Sequence, residues 1–188
     1  MNTVTIKSTP LEGLVIVEPV VHSDDRGAFC RTVCSREFKA AGLPGLFLQS
    51  SSSYNKKRGT LRGLHFQAAA DGAGISAAEE GKLVRCTRGA VFDVAVDIRP
   101  HSETFGQWHS IELSADNRLA LYLPPGFAHG FQSLEDNCEV LYQITVEYAP
   151  GRQHGINWND PAIGIIWPVP NPILSPRDLT LPELKKFN

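Results

Sequence analysis

No run of five like charges occurs in this 188-residue sequence, whose formal net charge is −2, so no nucleic-acid-binding surface is advertised. No stretch approaches the roughly 20 apolar residues of a membrane-spanning helix. Residues 1–14 hold no continuous apolar run, so neither a signal peptide nor a membrane anchor is expected there. Cys30, Cys34, Cys86 and Cys138 form no CxxC pair, and reduced thiols in a cytoplasm explain them better than disulfides or zinc. A P-loop and a GxGxxG fingerprint are both missing, which leaves ATP or NAD binding by those devices unsupported. The histidines at 22, 65, 101, 109, 129 and 154 make no HxH and no HExxH, and the positions two away from His65 are Gly63 and Gln67. A metal triad is not suggested by that spacing, so a metal-free site without a cofactor is expected.

What is present is a series of short β-like runs separated by turn residues, with 42% apolar and 20% charged residues overall. The runs are Leu14–Glu18, Ala28–Cys34, Phe47–Ser51, Leu61–Gln67, Lys82–Thr87, Val91–Ile98, Trp108–Leu113, Ala120–Leu123, Gly130–Ser133 and Glu139–Val146. In Val91–Ile98, period-2 counting puts Phe92, Val94, Val96 and Ile98 on one face and Asp93, Ala95 and Asp97 on the other. Turns are marked at Asp25-Arg26-Gly27, Arg88-Gly89, Pro124-Pro125-Gly126 and Ala149-Pro150-Gly151. Helix is confined to Arg36–Ala41 and, more weakly, Leu181–Phe187; residues 68–81, rich in Ala and Gly, read as a loop. The length suits one domain over residues 1–188. The expected fold is all-β, a double-sheet jelly-roll barrel with short peripheral helices.

The densest chemistry lies in GTLRGLHFQ, residues 59–67. Glycine weakens a strand and often marks the close approach of a ligand or another backbone, so Gly63 between Arg62 and His65 is notable. An imidazole titrating at roughly pH 6.5 suits a general base, although a lone strand histidine is also a common structural residue. Lys82 reads as an anion ligand or a solvated lysine, and Tyr142 and Tyr148 share a face by alternation. His129 follows a Pro-Gly turn, and Asp178 is either a helix cap or a carboxylate partner for a histidine. Strict alternation separates Arg62 and His65 onto opposite faces, so a bulge or a neighbouring subunit is needed to bring them together.

Taken in order, DDRGAF at 24–29, SYNKKRGTLRGLHFQ at 53–67, GKLVRCTRGAVFDVAVDIRPHSETFGQW at 81–108, LPPGFAHGF at 123–131, VLYQITVEYAP at 140–150 and GINWNDPAIGIIWP at 155–168 resemble the dTDP-4-dehydrorhamnose 3,5-epimerase family, the RmlC-like cupins. The resemblance implies epimerisation at C3 and C5 of a nucleoside-diphosphate 4-keto-6-deoxyhexose, through an enolate that the 4-ketone stabilises. It implies His65 as base with Asp178 as its partner, Tyr142 as acid, and Lys82 as positive charge near the enolate oxygen. Arg26, Gln49, Arg62, His129 and Arg177 match positions that hold sugar and diphosphate, and Tyr148 matches an aromatic that stacks on the nucleotide base. The family's exchange of strands between subunits implies a homodimer.

Three positions depart from the family pattern: Arg31 and Gln153 stand where it has Glu, and Ser51 where it has Asn. The connection at 68–81 is also longer than the usual one. These positions belong to substrate binding, which leaves alternatives open: an altered nucleotide or sugar, a monoepimerase or ketoisomerase, or a non-catalytic sugar-nucleotide-binding cupin.

Overall fold

Alternation of apolar and polar residues gives strands with two unlike faces, and two sheets closing on each other bury the apolar ones. In the computed structural model, which describes residues 3–68 and 79–187, this produces two antiparallel sheets. The larger runs in the order β1 (Val4–Ser8), β2 (Val15–Pro19), β10 (Ala120–Leu123), β7 (Lys82–Arg88), β12 (Cys138–Ile144) and β5 (Gln49–Asn55). The smaller runs β13 (Gln153–Gly155), β6 (Leu61–Gln67), β11 (Phe127–Ser133), β8 (Ala90–Asp97) and β9 (Trp108–Ser114). A hairpin of β3 (Val21–Asp24) and β4 (Gly27–Cys30) belongs to neither sheet. The all-β, two-sheet expectation holds.

Apolar residues collect in three layers. Between the sheets, Val84 and Cys86 of β7, Leu121 and Leu123 of β10 and Val140 of β12 meet Val91 and Ala95 of β8 and Phe127 and Phe131 of β11. Outside the smaller sheet, Leu64, Phe66, Val94, Val96 and Ile98 pack under Ile156, Ile163 and Ile165 of the C-terminal segment. Outside the larger sheet, Val17, Leu83, Ala120 and Tyr122 are covered by Phe38 of helix α1 (Ser35–Ala40). Each fully buried Leu, Val or Phe in these layers contributes about 1.5–3 kcal/mol. The faces expected for β8 are those observed: Phe92, Val94, Val96 and Ile98 face outward to the C-terminal segment, while Ala95 faces into the barrel.

Several bounds differ from expectation. The run Ala28–Cys34 stops at Cys30, because residues 31–34 lead into α1 instead of pairing. The run Phe47–Ser51 moves to Gln49–Asn55, where seven consecutive residues pair with β12 despite their polar composition. Strand β11 starts at Phe127, with the Pro-Gly turn immediately before it. The C-terminal helix is only a 3-10 turn at Leu184–Phe187. Strands β1, β3 and β13 were not foreseen; β13 is three residues long and exists through its pairing with Gln67, Phe66 and His65 of β6. Of the loop expected at 68–81, residues 69–78 lie outside the described residues.

Candidate active site

Beyond the apolar packing between the sheets the interior opens into a cavity of about 300 Å³. It is lined by Ser51, Arg62, His65, Phe66, Glu80, Lys82, His129, Tyr142, Ile144, Tyr148 and Gln153. The two sheets supply different chemistry. His65, Arg62 and His129 come from the smaller sheet, whereas Lys82, Tyr142 and Ser51 come from the larger one across the barrel.

A bulge puts Arg62 and His65 on the same side. His129 pairs with His65 and Phe131 with Arg62, so three steps along β6 oppose two along β11. The extra residue is accommodated at Gly63, whose φ is 141°. A Cβ there would lie 2.6 Å from the Cα of Gly130, so the two strands approach through a pair of glycines. The glycine in the motif therefore serves backbone against backbone, and it resolves the conflict that strict alternation posed.

His65 Nε2 lies 2.7 Å from Asp178 Oδ1, across 113 residues of sequence. Asp178 opens a 3-10 turn, Asp178–Thr180, and its backbone N–H donates to Ser175 Oγ at 3.1 Å. Burial pushes the Asp178 carboxyl up, but the His65 contact, with help from Ser175 and the Gly63 backbone, outweighs it and holds the carboxyl below its ordinary value. An ionised Asp178 accepts the Nε2 proton and leaves Nδ1 as the basic nitrogen. The imidazole is partly open, with 26% of its side chain exposed against 5% for Asp178.

A second pair lies deeper. His129 Nε2 is 2.9 Å and 3.1 Å from the two oxygens of Asp93, and both side chains are buried. Asp93 is one of the β8 aspartates on the face turned into the barrel. The His129 ring meets the Tyr142 ring edge-on at 5.9 Å between centroids. Burial, then the negative charge of Asp93, pushes the Tyr142 phenol far above its ordinary range. Tyr142 is thus a protonated donor throughout the physiological range.

Lys82 Nζ contacts Glu80 Oε1 at 2.6 Å, with only 9% and 13% of the two side chains exposed. Arg62 is held through Nε to Asn55 Oδ1 at 2.8 Å and Nη2 to the Tyr54 carbonyl at 3.4 Å. At the rim, Tyr148 donates its backbone N–H to Gln49 Oε1 at 2.9 Å. Gln153 Oε1 accepts from the Tyr148 hydroxyl at 3.4 Å and also from Arg177 Nη1. Tyr148 lies past the end of β12, so its place at the pocket comes from the loop that follows and not from strand alternation. That loop is pinned by buried Gln67, which donates to the Glu147 carbonyl and accepts from the Ala149 N–H, both at 2.9 Å.

Of the thirteen residues singled out from sequence, eight line the cavity, and Asp178, Gln49 and Arg177 bond to lining residues. Arg26 and Arg31 do not arrive. Arg26 sits at the tip of the exposed hairpin with its guanidinium on Asp24 at 2.6 Å, and exposed Arg31 follows β4. Glu80, Asp93 and Gln67 were missed as site residues. For Asp93 a signal existed, since an aspartate alternating with buried apolar residues must find a partner inside. Among the described residues no group of three His, Cys, Asp or Glu side chains is disposed to hold a metal ion. No described helix is long and apolar enough to cross a membrane.

Comparison with known proteins gives the family. Residues 8–186 match the family model for dTDP-4-dehydrorhamnose 3,5-epimerase. The Escherichia coli K12 protein of that name is 47% identical over 181 residues, covering 94% of each chain. The crystal structure of dTDP-4-dehydrorhamnose 3,5-epimerase from Elizabethkingia anophelis superposes with a TM-score of 0.90 at 38% identity, covering 98% of each chain. A Legionella pneumophila dTDP-6-deoxy-D-glucose-3,5-epimerase, solved in complex with dTDP-4-keto-L-rhamnose, gives a TM-score of 0.89 at 36% identity over 98% of this chain and 95% of that one. On the family model and on these relatives, the chain belongs to the dTDP-4-dehydrorhamnose 3,5-epimerase family.

Proposed function

We propose that this protein inverts C3 and C5 of a dTDP-linked 4-keto-6-deoxyhexose by two-sided proton transfer. One observation carries the reading: a histidine on one sheet, paired with Asp178 of the C-terminal segment, faces a protonated tyrosine and a lysine on the other sheet. A single group would return the proton to the face it left, whereas two groups on opposite walls invert the centre.

In the proposed cycle His65 Nδ1 takes the proton from the carbon next to the ketone, and the C–H electron pair moves into the ring as the carbonyl becomes an enolate. Asp178 holds the tautomer and stabilises the imidazolium. Lys82 supplies positive charge toward the enolate oxygen, while His129, held by Asp93, packs edge-on against Tyr142. The Tyr142 hydroxyl delivers a proton to the opposite face, the carbonyl re-forms, and solvent resets both groups. Arg62, Gln49, Ser51, Gln153 and Arg177 serve the diphosphate and sugar, with Tyr148, 55% exposed, stacking on the base. No cofactor enters the cycle. The four free cysteines fit a reducing cytoplasm as its location.

A homodimer completes this reading. Among the described residues strand β5 ends the larger sheet with one edge unpaired, and the separate β3–β4 hairpin has Val21 and Phe29 exposed at 39% and 68%. Docking the hairpin on a second copy would cover those residues and deliver Arg26 and Arg31 to the copy's pocket, the two residues that one chain does not bring in.

The test is incubation with a dTDP-4-keto-6-deoxyhexose in D₂O. Deuterium at both C3 and C5, unchanged after exhaustive chelation, is the expected result. Label at one carbon only would make the protein a monoepimerase. No label with any nucleoside diphosphate 4-ketosugar would leave a binding protein, and loss on chelation would contradict the metal-free cycle.

A further inference from the structure

Three basic side chains of the cavity each meet a carboxylate of their own: His65 meets Asp178, His129 meets Asp93, and Lys82 meets Glu80. The third pair has no assigned role. We infer that Glu80 is a positioning residue for Lys82, fixing its ammonium so that the remaining N–H groups point at the substrate ketone. This inference rests on the epimerase reading above.

A lysine is a compact charge on a flexible four-carbon stem, and freezing that stem costs rotamer entropy that must be met before the reaction starts. Here the stem is held from its tip, by a 2.6 Å contact to Glu80 two residues upstream. Glu80 is itself placed by the chain on both sides. The Glu79 N–H donates to the Gln67 carbonyl at 3.2 Å, and Gly81 exchanges hydrogen bonds with Thr145, donating to Oγ1 at 2.9 Å and accepting from N–H at 2.9 Å. The pair is therefore built into the pocket wall, unlike Lys7–Glu18 or Lys185–Glu183, whose lysines are 54% and 78% exposed. Asp93 and Asp178 are already engaged by the histidines, and Arg62 is bonded to Asn55 and Tyr54. Among the described residues, Glu80 is the one carboxylate in ion-pair contact with Lys82, and it takes one of three ammonium hydrogens, leaving two for the ketone.

The experiment compares Glu80→Ala and Glu80→Gln in wild-type and Lys82→Ala backgrounds, by kcat and KM for deuterium exchange in the full-length protein. Glu80→Ala is expected to lower kcat about tenfold or more with little change in KM, because orientation is lost and not binding. Glu80→Gln, which keeps an acceptor oxygen in place, should recover most of that loss. In the Lys82→Ala background Glu80→Ala should add less than about twofold, as expected for residues that act through one another. An undiminished kcat in Glu80→Ala, or the same loss with and without Lys82, would overturn the proposal. A second readout needs no turnover: ¹H–¹⁵N spectra of the lysine ammonium groups, with Lys82 identified by its absence in Lys82→Arg. A slowly exchanging Lys82 ammonium in the wild type that vanishes in Glu80→Ala supports positioning, and an unchanged signal contradicts it. Failure of the wild type to exchange substrate hydrogen would count against the epimerase reading, with the spectra still deciding the role of Glu80.

Discussion

Two His–Asp pairs share this cavity, and their surroundings differ more than their geometry. The contacts are alike, 2.7 Å for His65–Asp178 and 2.9 Å for the shorter arm of His129–Asp93. The first histidine is 26% exposed and the second 5%. The first pair joins a strand to a 3-10 turn of the C-terminal segment, while the second joins β11 to its neighbour β8 within one sheet. An imidazole that must gain and lose a proton during turnover needs a solvated or substrate-facing side. One sealed against a buried carboxylate has its ring held in place by that carboxylate. In the proposed cycle the open pair abstracts the proton, and the sealed pair supports the tyrosine side, where the His129 ring meets Tyr142.

The largest effect should come from the open pair. His65→Ala is expected to bring deuterium exchange below detection, and Asp178→Asn to reduce it on the order of 10²–10⁴-fold, since the base survives but loses its orienting partner. Rapid exchange in His65→Ala would mean that the base is elsewhere. The same aspartate leaves a mark on stability. Its folded carboxyl titrates below the unfolded value of about 3.9, so its contribution is fully present above that pH and is lost as pH falls through the folded value. Asp178→Asn should therefore flatten the acid limb of a stability–pH curve.

The sealed pair should show the reverse balance. Asp93→Asn is expected to cost about 2 kcal/mol of stability in urea unfolding, because a buried charged hydrogen bond is weakened. Its kcat should fall about tenfold, less than for Asp178→Asn, as for loss of one electrostatic contributor. A kcat loss matching that of Asp178→Asn would erase the distinction between the pairs.

Much of this could be read from the residues. Strand β6 has the expected bounds, Leu61–Gln67, and the two faces of β8 separate as period-2 counting requires. What escaped depends on partners that no local pattern encodes. A bulge is one of the two arrangements the residues of β6 allow, but that it falls at Gly63 is decided by Gly130 of another strand. Tyr148 reaches the rim through a loop pinned by Gln67, not through the strand that carries Tyr142. Glu80 acquires meaning only once the chain turns its carboxylate onto Lys82. Arg26 and Arg31 remain outside the pocket of a single chain, and the proposed homodimer is what would bring them in.

The two-walled mechanism is tested most directly by Tyr142→Phe in D₂O. Removing one hydroxyl leaves ring packing against His129 in place, so the fold should survive with little loss. His65 and Lys82 are untouched, and substrate hydrogen should still exchange for deuterium while inversion at C3 and C5 becomes slow. Inversion at the wild-type rate would place the acid on another residue and contradict a cycle in which one wall of the pocket removes the proton and the other returns it.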